Sequence, residues 1–242
     1  MSKVLGIIGG LGPLATAYYY ELITNMTDVE RDQDHIEIWI HSVPQIPDRT
    51  SYIVGASDEN PLPELIKTGS KLVDLGADCI AMPCITAHYF HQDLVAGIHA
   101  PVIHLVEETV EYLRSRGIER VGIMATDGTV RSGLFQQELE RRGLKAIVPE
   151  PEFQKDVMHL IYENIKIGSI PEMDRFERVA EHLRSGGAQV IILGCTELSL
   201  IKRDQKIGAG FLDAMEVLAV RAIEMCEGKL KEDYKELITK AC

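Results

Sequence analysis

Hydrophobic and polar positions change period repeatedly along this chain, and the changes predict alternating helices and strands. An amphipathic stretch, Leu62 to Leu75, leads through Gly76 into the largely apolar run Ala77 to Met82 and so to Cys84. A second one, Met173 to Leu183, leads through Gly187 into the run Ala188 to Gly194 and so to Cys195. Spacing near 3.6 reads as helix, whereas a short apolar run bounded by Gly turns reads as a strand buried on both faces of a parallel sheet. Each cysteine then falls at the carboxyl end of its strand, where open α/β sheets place their ligand crevices.

The same alternation runs through the rest of the chain. Lys3 to Gly9 predicts a first strand, Gly9 to Gly12 a tight turn, and Pro13 the start of a helix running through Ala17, Leu22 and Ile23. His35 to Val43, with Ile36, Ile38 and Ile40 alternating, predicts a strand with unequal faces that runs into the rigid loop Pro44 to Thr50. A helix over Pro61 to Gly76 precedes the Cys84 strand. Val102 to Leu105 predicts a short strand, and Glu107 to Arg116 a helix closed by Gly117.

The plan then starts again. Val121 to Thr129 repeats the layout of Val4 to Gly12, and Gly6 with Gly122 and Cys84 with Cys195 recur in the same order at similar separation. Helices are predicted over Leu134 to Arg142 and Phe153 to Ile167, an apolar run over Ile207 to Leu212, and helices over Asp213 to Cys226 and Lys229 to Lys240. The expectation is an α/β protein of two pseudo-symmetric doubly wound parallel-sheet domains related by duplication. Residues 1–115 form the half carrying Cys84 and 116–225 the half carrying Cys195, with a C-terminal helix over 226–242 packing back on the first half. No Pro-, Ser- or Gly-rich linker separates the halves, which predicts a tight interface with the site in the cleft.

Composition narrows the function classes. At 242 residues, 45% hydrophobic and 26% charged, the chain has the make-up of a globular protein with a real core. A net charge of −12 argues against nucleic acid or an anionic membrane as partner, because both require a basic field. An anionic substrate would therefore need local cations. The Gly-broken amino terminus does not read as a signal peptide and no apolar run reaches spanning length, so a cytoplasmic location is expected. The five cysteines lack zinc-ligand spacing and are odd in number, which points to reduced thiols and no metal. Cys79 and Cys226 lie within apolar patterns and read as packing; Cys242 is a terminal bystander.

Two thiols at equivalent strand ends suit chemistry with two opposed proton-transfer groups. If Cys84 and Cys195 approach one small molecule from opposite sides, a thiolate can remove a carbon-bound proton while a thiol returns one to the other face, inverting a stereocentre. Other uses stay open: an acyl-transfer nucleophile with His88, four residues beyond Cys84, as its base, a redox pair, or two buried structural cysteines. Arg49, where a loop leaves a strand, reads equally as a carboxylate clamp or a solvated arginine. Lys166, near a helix carboxyl end, reads as a solvated partner of the helix dipole. The Gly9 to Gly12 turn before a helix is a weak anion-site signal.

Six segments together give a resemblance: Gly9-Gly-Leu-Gly-Pro13 with Ala15-Thr16, Pro44-Gln-Ile-Pro-Asp-Arg49-Thr50, Met82-Pro-Cys-Ile-Thr-Ala-His88, Ala125-Thr-Asp-Gly-Thr129, Lys166-Ile-Gly168 and Gly194-Cys-Thr-Glu-Leu198. The chain resembles the cofactor-independent aspartate/glutamate racemase family nearly end to end, and most of all its aspartate racemase branch. The resemblance implies a homodimer acting on an amino acid without pyridoxal phosphate, metal or other cofactor. It implies Cys84 and Cys195 as the two bases, and Thr86, Thr126, Thr129 and Thr196 with the backbone of Gly10 and Leu11 as holders of the α-carboxylate and ammonium. Arg49 and Lys166 become the clamp for a side-chain carboxylate. Two positions depart from the family pattern: Ile85 stands where Asn is usual after the first cysteine, and Leu11 where Met is common. The implied activity is interconversion of L- and D-aspartate; the alternatives are a racemase of glutamate or of a broader amino-acid set, and a non-catalytic ligand-binding protein with the same cleft.

Overall fold

The computed structural model describes residues 3–240; Cys242 lies outside them. In chain order the first elements are β1 (Leu5–Gly9), α1 (Pro13–Met26), β2 (Ile38–Ser42), α2 (Arg49–Ile53), α3 (Leu62–Asp74), β3 (Cys79–Ala81), α4 (His91–Ile98) and α5 (Leu105–Ser115). Then follow β4 (Arg120–Ala125), α6 (Asp127–Ser132), α7 (Leu134–Arg141), β5 (Lys145–Ile147), α8 (Pro151–His159), α9 (Met173–Ser185), β6 (Val190–Gly194), α10 (Thr196–Asp204), β7 (Phe211–Asp213) and α11 (Ala214–Met225).

The chain divides into two compact units. One comprises the chain up to Leu105 together with Met215–Leu237, and the other Val106–Ala214 together with the residues from Ile238 onward. Within the first, a parallel sheet has the order β2-β1-β3; within the second, the order is β5-β4-β6-β7. β1 and β6 are buried along their whole length, as expected of central strands covered on both faces. Edge strand β2 is only partly covered, and Trp39 and Ile40 are exposed, so the predicted alternation of faces does not match its burial.

The two units repeat each other in packing as well as in order. Gly6 pairs with Ile80 across β1 and β3, and Gly122 with Ile191 across β4 and β6. A Cβ on Gly6 would lie 2.6 Å from Ile80 and 2.9 Å from Ala77, with Leu72 next. On Gly122 it would lie 3.0 Å from Ile191 and 3.1 Å from Ala188, with Leu183 next. At Gly6 a side chain would collide with Ile80 of the neighbouring strand and crowd the end of α3, and at Gly122 it would be tight against Ile191 and the end of α9. The neighbours of Gly6 and Gly122 correspond one for one, at the spacing that separates Cys84 from Cys195.

Several predicted elements differ in the structure. Val102 makes only an isolated parallel bridge to Ile80 in place of a strand over 102–105, since α5 already starts at Leu105; Ile191 makes the equivalent pairing with β7. β5 is a three-residue strand too short and mixed to leave a pattern. The helix predicted over 153–167 changes winding after His159, through a π-helical turn (Leu160–Asn164) and a 3-10 turn (Ile165–Ile167), before Gly168 ends it in the left-handed region.

The helix predicted over 229–240, and with it the C-terminal helix over 226–242, is not formed. Glu227 adopts a positive φ of 62°, and the following backbone groups bond to other segments. Asp28 N–H donates to Lys229 O, Lys231 N–H to Met26 O and Thr239 N–H to Phe211 O, leaving one 3-10 turn at Glu232–Tyr234. Tertiary partners outweigh the weak local preference for helix. Among the described residues no helix is long and apolar enough to cross a membrane.

Candidate active site

Both predicted cysteines occupy the same local position. Beyond β3, Pro83 cannot extend the ladder, and Cys84 turns the chain into a 3-10 helix (Ile85–Phe90) that passes into α4. Cys84 is the residue before that helix, with extended φ −152° and ψ 101°, and its carbonyl accepts from Ala87 N–H. Cys195 follows β6 directly and is the residue before α10, with φ −147° and ψ 138°; its carbonyl accepts from Leu198 N–H. Each thiol thus stands at the amino end of a helix, where unpaired N–H groups favour negative charge and a thiolate. Both are buried, at 6% and 7% exposure.

The surroundings of Cys195 oppose that effect. Burial and the neighbouring Glu197 carboxylate push its thiol well above the usual range, with Lys166 pulling the other way. Cys195 donates its S–H to Glu197 Oε2 at 2.9 Å, and the Thr196 hydroxyl donates to the same oxygen at 3.2 Å. Glu197 is itself buried, so this is a closed three-residue network. Sequence reasoning quoted Glu197 but gave it no role, because an acidic residue in the first turn of a helix ordinarily reads as a partner of the dipole. Its place two residues beyond a strand-end cysteine was the available signal.

His88 does not face the Cys84 sulfur. Its Nδ1 lies 3.0 Å from Cys84 O and its Nε2 3.3 Å from Ile103 O, so both nitrogens are directed at carbonyls and the reading of His88 as the base for a nucleophilic Cys84 is corrected. Burial first, with the neighbouring His104 and His91, lowers its pKa to about 3 and keeps the ring neutral.

The remaining predicted residues divide between the units. Near Cys84, Ile85 and Thr86 are buried in the 3-10 helix. Gly10 has φ +89°, and a Cβ there would come within 2.4 Å of Val43 N, so the turn requires glycine. Gly10 N–H donates to Thr16 Oγ1 at 2.9 Å, which removes it from the anion donors expected of this turn. Arg49 is buried, contrary to the solvated alternative: it donates to Ile46 O and Pro47 O, and at 3.1 Å to Leu11 O. It ties the 46–49 loop to the glycine turn, so these bonds direct at least part of its fork to the protein's own carbonyls.

In the second unit, Thr126 caps α6, its Oγ1 accepting from Thr129 N–H at 3.3 Å and lying 3.2 Å from Thr129 Oγ1. Both hydroxyls are buried. Lys166, on the exposed turn made by the change of winding after α8, carries its ammonium 3.8 Å from the centre of the Tyr162 ring. Lys166 is exposed, as its sequence position predicts, and its charge acts weakly on Cys195 against the rise caused by burial and Glu197. Thr196 opens α10 beside Cys195.

Comparison with known proteins places the chain in a family. Residues 8–222 match the family described as Asp/Glu/Hydantoin racemase. An aspartate racemase structure from Picrophilus torridus superposes with a TM-score of 0.81 at 28% identity, covering 96% of this chain and 98% of that one. The broad specificity amino-acid racemase RacX of Bacillus subtilis (strain 168) is 24% identical over 208 residues, 82% of this chain and 87% of that protein. A glutamate racemase of Aquifex aeolicus (strain VF5) is 31% identical over 153 residues, 61% of this chain and 56% of that protein. The family match runs through both cysteine segments and both glycine turns, and the chain belongs to the Asp/Glu/Hydantoin racemase family.

Proposed function

We propose that this protein interconverts the L and D forms of an amino acid, aspartate foremost, by two-base proton transfer at the α-carbon with Cys84 and Cys195 as the bases. The observation that carries the reading is the repeated setting of the two thiols: each is the extended residue between a buried parallel strand and a helix amino terminus. An enzyme that inverts a stereocentre needs two groups of like chemistry in opposite protonation states, and a duplicated thiol supplies them.

The surroundings of Cys195 assign it one of the two roles. Cys195, held as a thiol by burial and Glu197, is the proton donor when Cys84 acts as base. In the opposite direction Cys195 must first lose its proton, and Glu197 Oε2, 2.9 Å away, is the acceptor in place to take it. The α-proton of an amino acid is a weak acid, so the developing carbanion also needs fixed donors. The Thr86 hydroxyl, next but one to Cys84, and the N–H groups of the two helix starts are the candidates, with Thr196 holding Glu197 and Thr126 and Thr129 fixing the α6 start; one such donor is worth on the order of 10²–10³ in rate.

Aspartate is supported by the likeness to the Picrophilus torridus protein. A second reading, a broader amino-acid range, rests on the buried apolar Ile85 beside Cys84. The test is incubation of the protein, treated with chelator and freed of pyridoxal phosphate, with L- and D-aspartate separately in D2O. Exchange of the α-hydrogen with inversion supports aspartate; inversion only of neutral amino acids moves the assignment to the broader set. Binding without exchange of any amino acid, at any pH, refutes catalysis.

A further inference from the structure

The proposed chemistry uses Cys84 and Cys195 and leaves another pair of thiols unused. Cys79 lies in β3, in register with Leu5 of β1, and Cys226 follows α11; 147 positions apart in sequence, their sulfurs are 3.6 Å apart. Both are free and buried. Two sulfurs in contact from elements so distant in the chain are placed by the fold of the first unit, not by local geometry. We propose that Cys79 and Cys226 are a redox-responsive pair that closes to a disulfide under hydroperoxide.

The geometry requires only a small movement. A disulfide S–S bond is about 2.05 Å, so the sulfurs must approach by roughly 1.5 Å. Cys79 is fixed in the sheet, but Cys226 ends a helix, its N–H still bonded to Ala222 O, immediately before the positive-φ Glu227. Rotation there moves the sulfur without disturbing the strand. Tyr19 of α1, buried with its hydroxyl on Leu218 O, belongs to the same unit, and Asp78, next to Cys79 in the chain, is exposed. Either thiol can donate to the other, and this hydrogen bond favours a thiolate on one of them, Cys79, with Cys226 as donor. The Cys79 thiolate attacks one peroxide oxygen, the O–O bond breaks, and a sulfenic acid and one water form. Cys226 then attacks that sulfur, releasing the second water and forming the S–S bond; two electrons leave the thiols and reduce the peroxide.

The consequence falls on the segment after α11. Residues 226–231 are held by backbone hydrogen bonds to α11 and to Met26 and Asp28, by the Lys231 ammonium on Asn25 O, and by exposed ion pairs of Lys3 with Glu227 and Lys229 with Asp28, the last two contributing little in water. The disulfide would fasten this segment to β3 covalently. The experiment treats the wild-type protein with hydrogen peroxide, alkylates the remaining thiols after unfolding, and maps peptides without reduction. The expected result is a peptide joining Cys79 to Cys226 that dithiothreitol separates, with a rise of about 5–10 °C in Tm that the same reagent reverses. Cys226→Ser, or Cys79→Ser if the former does not fold, should show no such rise. Recovery of Cys79 and Cys226 both alkylated under peroxide that oxidises Cys84 or Cys195 would overturn the proposal, as would a linked form with unchanged Tm.

Discussion

His88 gives a pH dependence of stability whose sign and size follow from its surroundings. The ring is buried between the carbonyls of Cys84 and Ile103, and burial with His104 and His91 lowers its pKa to about 3, from 6.5 in the unfolded chain. Between those values the unfolded state binds a proton that the folded state refuses, so the contribution is complete above pH 6.5 and is lost as pH falls. From pH 7.5 to 5.5 the loss is about 1.4 kcal/mol, and at pH 4.5 about 2.7 kcal/mol, since one pKa unit corresponds to about 1.36 kcal/mol. His88→Asn keeps a donor toward Cys84 O and removes the titration. Urea unfolding of both proteins from pH 7.5 to 4.5 should give stability curves that converge by those amounts, whatever constant the substitution costs. The seven other histidines are common to both proteins and largely cancel in the difference. Curves that run parallel would refute the reasoning, because His88 would then titrate alike folded and unfolded.

Three further predictions concern the site and its supports. Cys84→Ala and Cys195→Ala should each lower racemisation by at least about 10³-fold, while α-hydrogen exchange in D2O of one enantiomer can persist in each and identifies the face its remaining thiol serves. Glu197→Gln removes the charge that raises the Cys195 thiol, so the pH midpoint of Cys195 alkylation by iodoacetamide should move down; an unchanged or higher midpoint counts against the network. Gly10→Ala should destabilise the protein by about 3 kcal/mol or more in chemical denaturation, because φ +89° and a Cβ at 2.4 Å from Val43 N leave no relaxed position for the side chain.

The sequence by itself determined the architecture, because buried parallel strands and amphipathic helices carry their periods openly. It also determined the duplication, since Gly6 and Gly122 precede the same ordered set of residues, and the positions of both cysteines at strand ends. These are local or repeated signals, legible without knowledge of what packs where. The tertiary structure decided what depends on distant partners. Pairing with Asp28, Met26 and Phe211 replaced the C-terminal helix by extended chain. Thr16 took the Gly10 N–H, and carbonyls of the 46–47 loop and of Leu11 took donors of Arg49, so that turn and arginine brace one another. The fold buried Glu197 where it accepts a hydrogen bond from the Cys195 thiol, and brought Cys79 to Cys226 across 147 positions. The physical reason is common to all of these. Periodicity reports which face of an element is buried, but the charge a buried group can hold, and the bonds it makes, depend on the particular atoms the fold places against it.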